Sequence, residues 1–462
     1  MPLPLVGRWF FLWASFATAI IYGADPAPRL TSRELAERID WEFGAIWRES
    51  KIEPPALVDD ATFLRRSYLD LSGTIPPVSQ VREFLDYTGD HKRFLLIERL
   101  LTESKRPERH ADRTAAHWAS LWRRMMIPGN TPEAQQAVNL EPWLKQQFAE
   151  NVPYDQIARR LITAKSSDGT MVAATNPRFG TVNSGPAMYL QMAGGKPETS
   201  ASAVSRMFLG VRIGCAECHN HPFADWKQSD FWGMAAFFNG IKNGSIEDST
   251  TLKIRPENST TDYVATYLGG AEAKLTGGKT ARETLANWIV SPDNPQFAAT
   301  AVNRVWLHLI GRGLTESVDD LDKASPQERK FLDELAKLFV AAGYDFRWLI
   351  SGICQSQVYQ RECPVDESIA TGPGLRPVKT LTPEQLFNSL EQALSLPVAR
   401  ADGSARFNGL RDQLISRMNE AASAQPDEYR AGVPQALLLM NGRLTAEATD
   451  LEQSRTLRGV LD

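Results

Sequence analysis

The chain has 462 residues, and with 43% hydrophobic and 23% charged residues it has the composition of a folded protein, which excludes collagen-like, coiled-coil and mainly disordered chains. The length suggests two or three domains. Because 51 basic and 55 acidic residues give a net charge of −4, no overall positive field favours nucleic acid or an anionic membrane.

The N-terminus has the form of a secretory signal peptide. Arg8 is the only charged residue before Asp25, and residues 9–22 form a continuous apolar run followed by two small residues. The run is shorter than the roughly 20 apolar residues that span a bilayer, and its flanks are those of a signal. We therefore expect residues 1–24 to be a cleaved signal peptide or an N-terminal anchor, with no other integral membrane domain. The rest of the chain is then exported, to the periplasm or the cell surface.

From residue 30 onwards the first half of the chain is predicted to be helical. Thr31 and Glu34 form a capping box ahead of apolar residues at helical spacing. Asp59 or Asp60 can cap a second helix, which Gly73 ends. Further helices are expected around residues 79–87, 90–101, 107–126, 132–150, 151–164 and 198–210. The intervening stretch at 165–196 is rich in Ser, Gly, Asn and Pro and is predicted to be a long loop.

The composition changes at residues 241–279, where Gly, Asn, Ser and Thr dominate and only short β-like pieces occur. These residues are predicted to be a connector with minor β structure. Regular helices resume with capping signals at Thr280, Ser325 and Thr382. The predicted fold class is therefore mainly α, with one helical domain over residues 30–240, a Gly/Ser/Thr-rich connector, and a second helical domain over residues 280–462.

The clearest chemical signal is the run CAECHNHPF at residues 215–223. Cys215, Cys218 and His219 have the CxxCH spacing that attaches a c-type haem. On one helical turn both thiols can reach the vinyl groups at one porphyrin edge, while the imidazole ligates the iron. The same residues also suit a zinc site, and in an exported chain they suit a disulfide. These three alternatives remain open at the level of the sequence.

A second axial ligand to a haem would have to come from another element, because His221 cannot easily reach the face opposite His219. The candidates are Met234, Met207, His117 and His110. A five-coordinate haem, which points to ligand binding or peroxide chemistry, is the alternative. In the zinc interpretation, His219 or His221 joins the two cysteines, and Asp225 is a candidate oxygen ligand.

A second polar cluster is predicted in the C-terminal half of the chain. Its members are Asn303, Arg304, His308, Arg312, Asp319 and Asp320. Arg304 and His308 are four residues apart and share one face of a helix. The cluster is interpreted either as an Arg–Asp network that fixes the turn between two helices or as a binding or catalytic site.

Several other kinds of chemistry find no support in the sequence. It contains no GxSxG motif, no phosphate-binding P-loop and no dinucleotide-binding GxGxxG after a strand. Cys354 and Cys363 would lie roughly 13 Å apart on a continuous helix, which is too far for a disulfide. We therefore expect neither nucleotide-driven catalysis nor a bridge between these two cysteines, unless the chain folds back on itself.

Long stretches of the sequence resemble a known pair of domains. Residues 63–85, with SYLDLSGTIPP, and residues 208–238, with the CxxCH motif, resemble the planctomycete cytochrome-C-like domain of unknown function. Residues 282–321 and 331–361 resemble the second planctomycete-typical domain of unknown function that accompanies it. The resemblance implies an exported protein with a cytochrome-like CxxCH motif, and it brings no established reaction.

Taken together, these features favour an exported protein that binds c-type haem through Cys215, Cys218 and His219. It would transfer electrons in the periplasm and have a redox partner protein. A metal-dependent, zinc-type enzyme acting on extracellular polymer is one alternative. A non-catalytic scaffold whose CxxC forms a disulfide is the other. The sequence indicates no nucleic-acid partner.

Overall fold

The structure, a computed structural model, describes residues 30–103, 110–128, 136–173, 181–222, 224–257, 259–364 and 374–394, with residues 414, 415, 440, 442, 446 and 450. Of residues 110, 138, 171–173 and 181–183 only the backbone is described. The predicted signal peptide or anchor at residues 1–24 lies outside the described residues, as does most of the chain beyond residue 394.

The first half of the described chain consists of short helices, most of them where its sequence predicts. They are α1 Ser32–Glu49, α2 Asp60–Ser67, α3 Val78–Asp86, α4 Lys92–Thr102, α5 His110–Met126, α6 Glu141–Ala149, α7 Tyr154–Thr163, α8 Ala187–Met192, α9 Pro197–Val204 and α10 Gln228–Ala235. The helix Ala187–Met192 is an exception, because it lies in the stretch at 165–196 that is predicted to be a long loop. Two π-helical turns, Tyr68–Ser72 and Ser205–Leu209, continue α2 and α9. Short 3-10 helices lie at Ala137–Leu140, Gly214–Glu217 and Ala236–Phe238.

The second half continues the helical series. Its helices are α11 Ala281–Ile289, α12 Pro295–Ile310, α13 Pro326–Ala341, α14 Phe346–Gln355, α15 Gln357–Gln360 and α16 Pro383–Ala393, with a 3-10 turn at Leu321–Lys323. Within the described ranges, no helix is both long and apolar enough to cross a membrane.

Helix starts follow the predicted capping chemistry. The Thr31, Thr280, Ser325 and Thr382 side chains each accept a hydrogen bond from the backbone N–H three residues on, and the Glu or Gln at that position bonds back to the cap. Each box satisfies backbone donors that a helix start leaves without an intrahelical partner. Asp59, rather than Asp60, caps α2 by accepting from the Thr62 amide at 2.7 Å.

The strands of the described chain form three two-stranded antiparallel hairpins. Strands β3 (Ile241–Lys242) and β4 (Ser245–Ile246), and β5 (Lys253–Ile254) and β6 (Tyr263–Val264), lie in the predicted connector. Strands β1 (Thr170–Ala173) and β2 (Thr181–Ser184) lie in the stretch predicted to be a loop, with Thr170 opposite Ser184. The predicted class, mainly α with minor β, is confirmed.

One hydrophobic core runs through both helical halves. Helix α1 lies so close to α14 that a Cβ atom on Gly352 would fall 2.4 Å from Leu35 Cδ2. The ring of Phe43, also on α1, stacks on Trp306 of α12 with centroids 5.4 Å apart. Because these contacts join residues far apart in the sequence, neither half buries its apolar surface without the other.

Two of the four cysteines belong to this part of the fold. Cys354 is buried on α14, and the half-buried Cys363 lies beyond α15, where its Sγ donates to the Pro377 carbonyl at 3.5 Å. Both are free thiols. Burial raises the pKa of the Cys354 thiol well above its ordinary value, and the neighbouring Asp70 carboxylate acts in the same direction. Cys354 is therefore an inert core residue at neutral pH.

Candidate functional site

The CxxCH residues lie on an exposed turn between α9 and α10. The 3-10 helix Gly214–Glu217 carries Cys215, and Cys218 follows as its C-cap. Both cysteines are exposed free thiols, and His219 is exposed as well. Ala216, between the two cysteines, is fully buried. The turn therefore holds its chemistry-bearing side chains outward while one small residue packs against the core.

Side chains from helix α10 hold this turn in place. The indole Nε1–H of Trp232 donates to the Glu217 carbonyl at 3.1 Å. The Gln228 amide Nε2–H donates to the carbonyls of Glu217, at 3.0 Å, and Cys218, at 3.2 Å. The loop after the motif closes where the His221 N–H donates to the Trp226 carbonyl at 2.8 Å. These bonds fix the backbone between the two cysteines to a helix whose apolar side chains lie in the core.

The ring of His219 has one nitrogen engaged. Its Nδ1–H donates to the backbone carbonyl of Asn220 at 2.7 Å. Since a carbonyl can only accept, Nδ1 carries the proton and Nε2 keeps the lone pair in the neutral ring. A backbone hydrogen bond of this kind is the usual device that orients a metal-ligating histidine. Of the two ring nitrogens, Nε2 is therefore the one that keeps a lone pair.

The donor set of this turn fits a c-type haem, with two accessible thiols and an imidazole nitrogen that keeps its lone pair. Two surface cavities among the described residues have volumes of about 370 and 460 Å³, and neither thiol lines either of them. Met234 and Met207 are fully buried in the core, and His117 is buried elsewhere. These three would have to leave their packing to ligate a group held by exposed cysteines. The side chain of His110 lies outside the described residues.

A preformed metal cluster is not found in the ranges that the structure describes: no group of three or more His, Cys, Asp and Glu side chains there could hold an ion. His221 is half-buried, and Asp225 is exposed. The zinc interpretation therefore has no assembled ligand set in its favour.

The structure divides the second polar cluster. Asp319 forms ion pairs with Arg304 and, at longer range, with Arg206 at 3.5 Å and Arg212 at 3.4 Å. Burial alone would raise the pKa of Asp319, but the three guanidinium groups outweigh it and hold the pKa below its ordinary value. The arrangement matches the Arg–Asp network interpretation, because it joins the turn after α12 to the end of α9.

Asn303 and Asp320 of that cluster make contacts other than these ion pairs. Asn303 accepts from the Leu314 amide and donates to Thr315 Oγ1, both at 2.7 Å, and so fixes the same turn from within. Asp320 pairs with Lys323 at 3.0 Å. Arg312 is half-buried at the end of the helix. His308 points to a different site.

That different site is centred on Asp70, which the sequence analysis did not single out. Asp70 lies in the π-helical turn after α2, and its side chain is only 4% exposed. Its carboxylate accepts from Lys379 Nζ at 2.5 Å, Arg376 Nη2 at 2.9 Å and the Tyr359 hydroxyl at 3.0 Å. Burial alone would raise the pKa of Asp70, but Lys379 and Arg376 hold it well below its usual range.

Two buried histidines flank this carboxylate. The Nε2–H of His308 donates to the Asp70 backbone carbonyl at 2.8 Å, and the ring of His117 lies 5.3 Å from that of His308. Burial lowers the pKa of His117 to about 3, with Arg124 acting in the same direction. Burial lowers the pKa of His308 well below its ordinary value, and the positive charge of Lys379 acts in the same direction. Both rings are therefore neutral at physiological pH.

The Asp70 cluster joins the two helical halves. Asp70 and His117 come from the first half, whereas His308, Tyr359, Arg376 and Lys379 come from the second. None of these side chains lines either surface cavity. The signal in the sequence was an acidic residue between two leucines inside a helix, since a carboxylate among buried apolar residues requires a partner.

These features define a class of protein: a mainly helical chain in which an exposed CxxCH turn lies on one helical region and a second helical region packs against it. Family models match both regions. The PSCyt2 model, a protein of unknown function (DUF1549), matches residues 38–243, and the PSD1 model, a protein of unknown function (DUF1553), matches residues 281–404. The chain therefore belongs to the family in which a cytochrome-C-like domain is followed by the second planctomycete-typical domain of unknown function. No curated protein and no solved structure matches the chain.

Proposed function

We propose that this protein is an exported electron-transfer protein that carries a c-type haem on its CxxCH turn. The observation that supports this most directly is the geometry of the turn. Cys215, Cys218 and His219 are exposed together, and the Nδ1 hydrogen bond of His219 leaves Nε2 for an iron. When bound, the haem supplies an iron that gains and loses one electron.

Each residue of the turn has a defined task in this proposal. The thiols of Cys215 and Cys218 anchor the group covalently, and His219 orients its ring through the Asn220 carbonyl. The bonds from Trp232 and Gln228 keep the backbone of the turn from shifting. Exposure of the motif suits electron exchange with a redox partner protein, because the partner can approach the group closely without any opening of the fold.

The experiment is a peroxidase haem stain on a denaturing gel, together with a visible spectrum, after expression in a periplasm with c-type haem maturation active. The full chain is compared with the double variant Cys215→Ala/Cys218→Ala. We expect a stained band and a Soret absorption for the wild type and neither for the double variant. A matched control, Cys363→Ala, removes a thiol outside the motif and should stain as the wild type does.

A His219→Ala variant separates attachment from ligation. Its thiols remain, so we expect the stain to persist while the Soret maximum shifts because the axial nitrogen is gone. A colourless wild-type protein, in cells where a control cytochrome matures, would sink the haem proposal.

The second candidate is a structural CxxC disulfide in a non-catalytic scaffold. Its support is that the two exposed free thiols are only three residues apart, in a chain that we propose is exported to an oxidising compartment. Thiol counting under denaturing conditions distinguishes it: a disulfide leaves two reactive thiols, Cys354 and Cys363, whereas a reduced colourless protein has four. A zinc-type enzyme acting on extracellular polymer has no comparable observation in its favour.

A further inference from the structure

A surface cleft of about 370 Å³ lies next to the CxxCH turn, where the two helical regions meet the connector. Trp226, whose carbonyl closes the loop after the motif, forms one part of its wall. Leu268 of the connector and Trp288 of α11 form another part. Because its walls come from three separate parts of the chain, the cleft exists only in the complete fold.

Two indole rings give the cleft its aromatic surface. Trp226 and Trp288 are both half-buried, and both belong to the lining of the cleft. Tyr267 stacks on Trp288 with centroids 4.9 Å apart and planes 21° apart. That stack occupies one face of Trp288 and holds the ring in position. An indole face carries negative charge density in its π-system and attracts cations.

The charged side chains of the cleft are both acidic. Asp293 and Asp322 stand exposed in its lining, which includes no lysine or arginine. The Nε1–H of Trp226 donates to Asp322 at 3.2 Å, which places a carboxylate at the edge of the indole. Two basic side chains near the cleft pair with other carboxylates. Lys323 pairs with Asp320 at 3.0 Å, and Arg329, which also donates to Gln296 of the lining at 2.7 Å, pairs with Asp333 at 2.7 Å.

The N-terminus of α12 also borders this cleft and contributes partial positive charge, equivalent to about half an elementary charge. Its cap, Asn294, accepts from the Gln296 amide at 3.1 Å, so one of its donors is already satisfied. Two full negative charges outweigh that partial charge. The cleft therefore combines indole faces with a net negative lining.

We propose that this cleft binds an organic cation through an ammonium group that lies against Trp226 and Trp288 and is paired with Asp322 and Asp293. Indole faces with adjacent carboxylates are the chemistry that recognises quaternary and protonated amines. The net negative lining disfavours an anionic ligand. The inference is independent of the haem proposal, although the position of the cleft would bring such a ligand beside the CxxCH turn.

The test is a calorimetric titration of the full chain with choline and with its neutral carbon isostere, 3,3-dimethylbutan-1-ol. The two probes have almost the same shape and differ by one charge. We expect choline to bind about tenfold more tightly than the isostere, and we expect its affinity to fall with added salt. Equal affinities, tighter binding of the isostere, or no binding of choline would each overturn the proposal.

Matched variants locate the binding to this cleft. Asp322→Asn removes one charge while its side-chain oxygen can still accept from Trp226, and we expect it to weaken choline binding several-fold. Glu316→Gln removes an exposed charge that does not line the cleft, and we expect it to leave the affinity unchanged. An equal loss in both variants would overturn the proposal, because it would mean attraction by overall charge rather than by the cleft. A far-UV spectrum of each variant checks that it is folded.

Discussion

At the scale of single residues, Asp70 is a carboxylate in the core of the described chain. It lies fully within the core with two cationic partners, and removing water from such charges is expensive unless every charge is paired. The partners come from a segment more than 300 positions away in the sequence. The ion pairs therefore connect the π-helical turn after α2 to the segment that precedes α16.

We predict that Asp70→Asn destabilises the protein strongly. Asparagine has almost the same size, but it leaves the buried Arg376 and the half-buried Lys379 without a counter-charge. Breaking a buried ion pair in this way typically costs about 3–5 kcal/mol. The measurement is the free energy of unfolding from urea titration at pH 7. Asp262→Asn is the control, because Asp262 pairs with Arg255 at an exposed site and its loss should barely move the midpoint. A small effect of Asp70→Asn would show that the ion pairs do not stabilise the fold.

The buried histidines predict how stability depends on pH. The folded-state pKa of His117 is about 3, whereas its ordinary value is 6.5. Between these values the unfolded chain binds a proton that the folded chain does not, so the free energy of unfolding decreases as the pH falls. Asp40 acts in the opposite direction below pH 6, because burial raises its pKa to about 6.

We predict that His117→Asn flattens this dependence between pH 6.5 and pH 4.5. One proton corresponds to a slope of about 1.4 kcal/mol per pH unit, and the variant should lose a slope of that order. Urea titrations of the two proteins at pH 7.5, 6.0 and 5.0 give the comparison, in which the contribution of Asp40 cancels. If the free energies of unfolding of the two proteins change with pH in parallel, His117 is protonated in the folded protein.

At the scale of elements, two π-helical turns stand out. Each directly continues an α-helix and ends at a glycine in the left-handed region, Gly73 at φ 67° and Gly210 at φ 62°. Such turns are uncommon and frequently occur at functional sites. The first one carries Asp70, and the second, Ser205–Leu209, contributes Arg206 to the Asp319 network. Both turns thus place a charged residue in an ion pair between the helical halves.

We predict that Gly73→Ala costs more stability than Gly343→Ala. Both glycines have positive φ, so each substitution carries the left-handed penalty of about 1–2 kcal/mol. At Gly343 a Cβ atom would meet open space, whereas at Gly73 it would fall 2.4 Å from His117 Nδ1. Overpacking there should add about 1–3 kcal/mol. Urea midpoints measure the difference, and equal losses would mean that the His117 ring moves aside freely.

Helix starts are the elements that the local sequence predicts well. The capping boxes at Thr31, Thr280, Ser325 and Thr382 form as expected, because a cap and its helix are neighbours in the chain. The β1–β2 hairpin was not predicted. Its two strands pair with each other, and the polar composition of the stretch does not reveal that pairing.

At the scale of the whole molecule, the two family regions pack into one body. Rings from both regions meet around Phe346, whose centroid lies 4.8 Å from that of Tyr154 and 5.0 Å from that of Trp122. Glu384 of α16 pairs with Arg124 of α5, and although burial opposes it, the arginines nearby lower the pKa of Glu384 to about 2. Apolar and ionic contacts therefore both cross between the regions.

We predict that the protein unfolds in one cooperative transition in spite of its two family regions. Far-UV and near-UV circular dichroism should give coincident urea curves, because the apolar side chains of both regions are buried in one shared core. Asp70→Asn should move both urea curves to a lower midpoint by the same amount. Two separate transitions, with one region unfolding first, would contradict the shared core.

The sequence by itself determined the helical class, the capped helix starts, the connector with its minor β structure, and the family, because periodicity, capping and long motifs depend on residues near one another. It also identified the CxxCH triplet, whose three members lie within five positions. Only the tertiary structure decided that the thiols face outward, that His308 belongs to Asp70 rather than to Asp319, and that Trp226 and Trp288 form one cleft. Those outcomes depend on contacts between distant segments, which chain folding creates and no local pattern encodes.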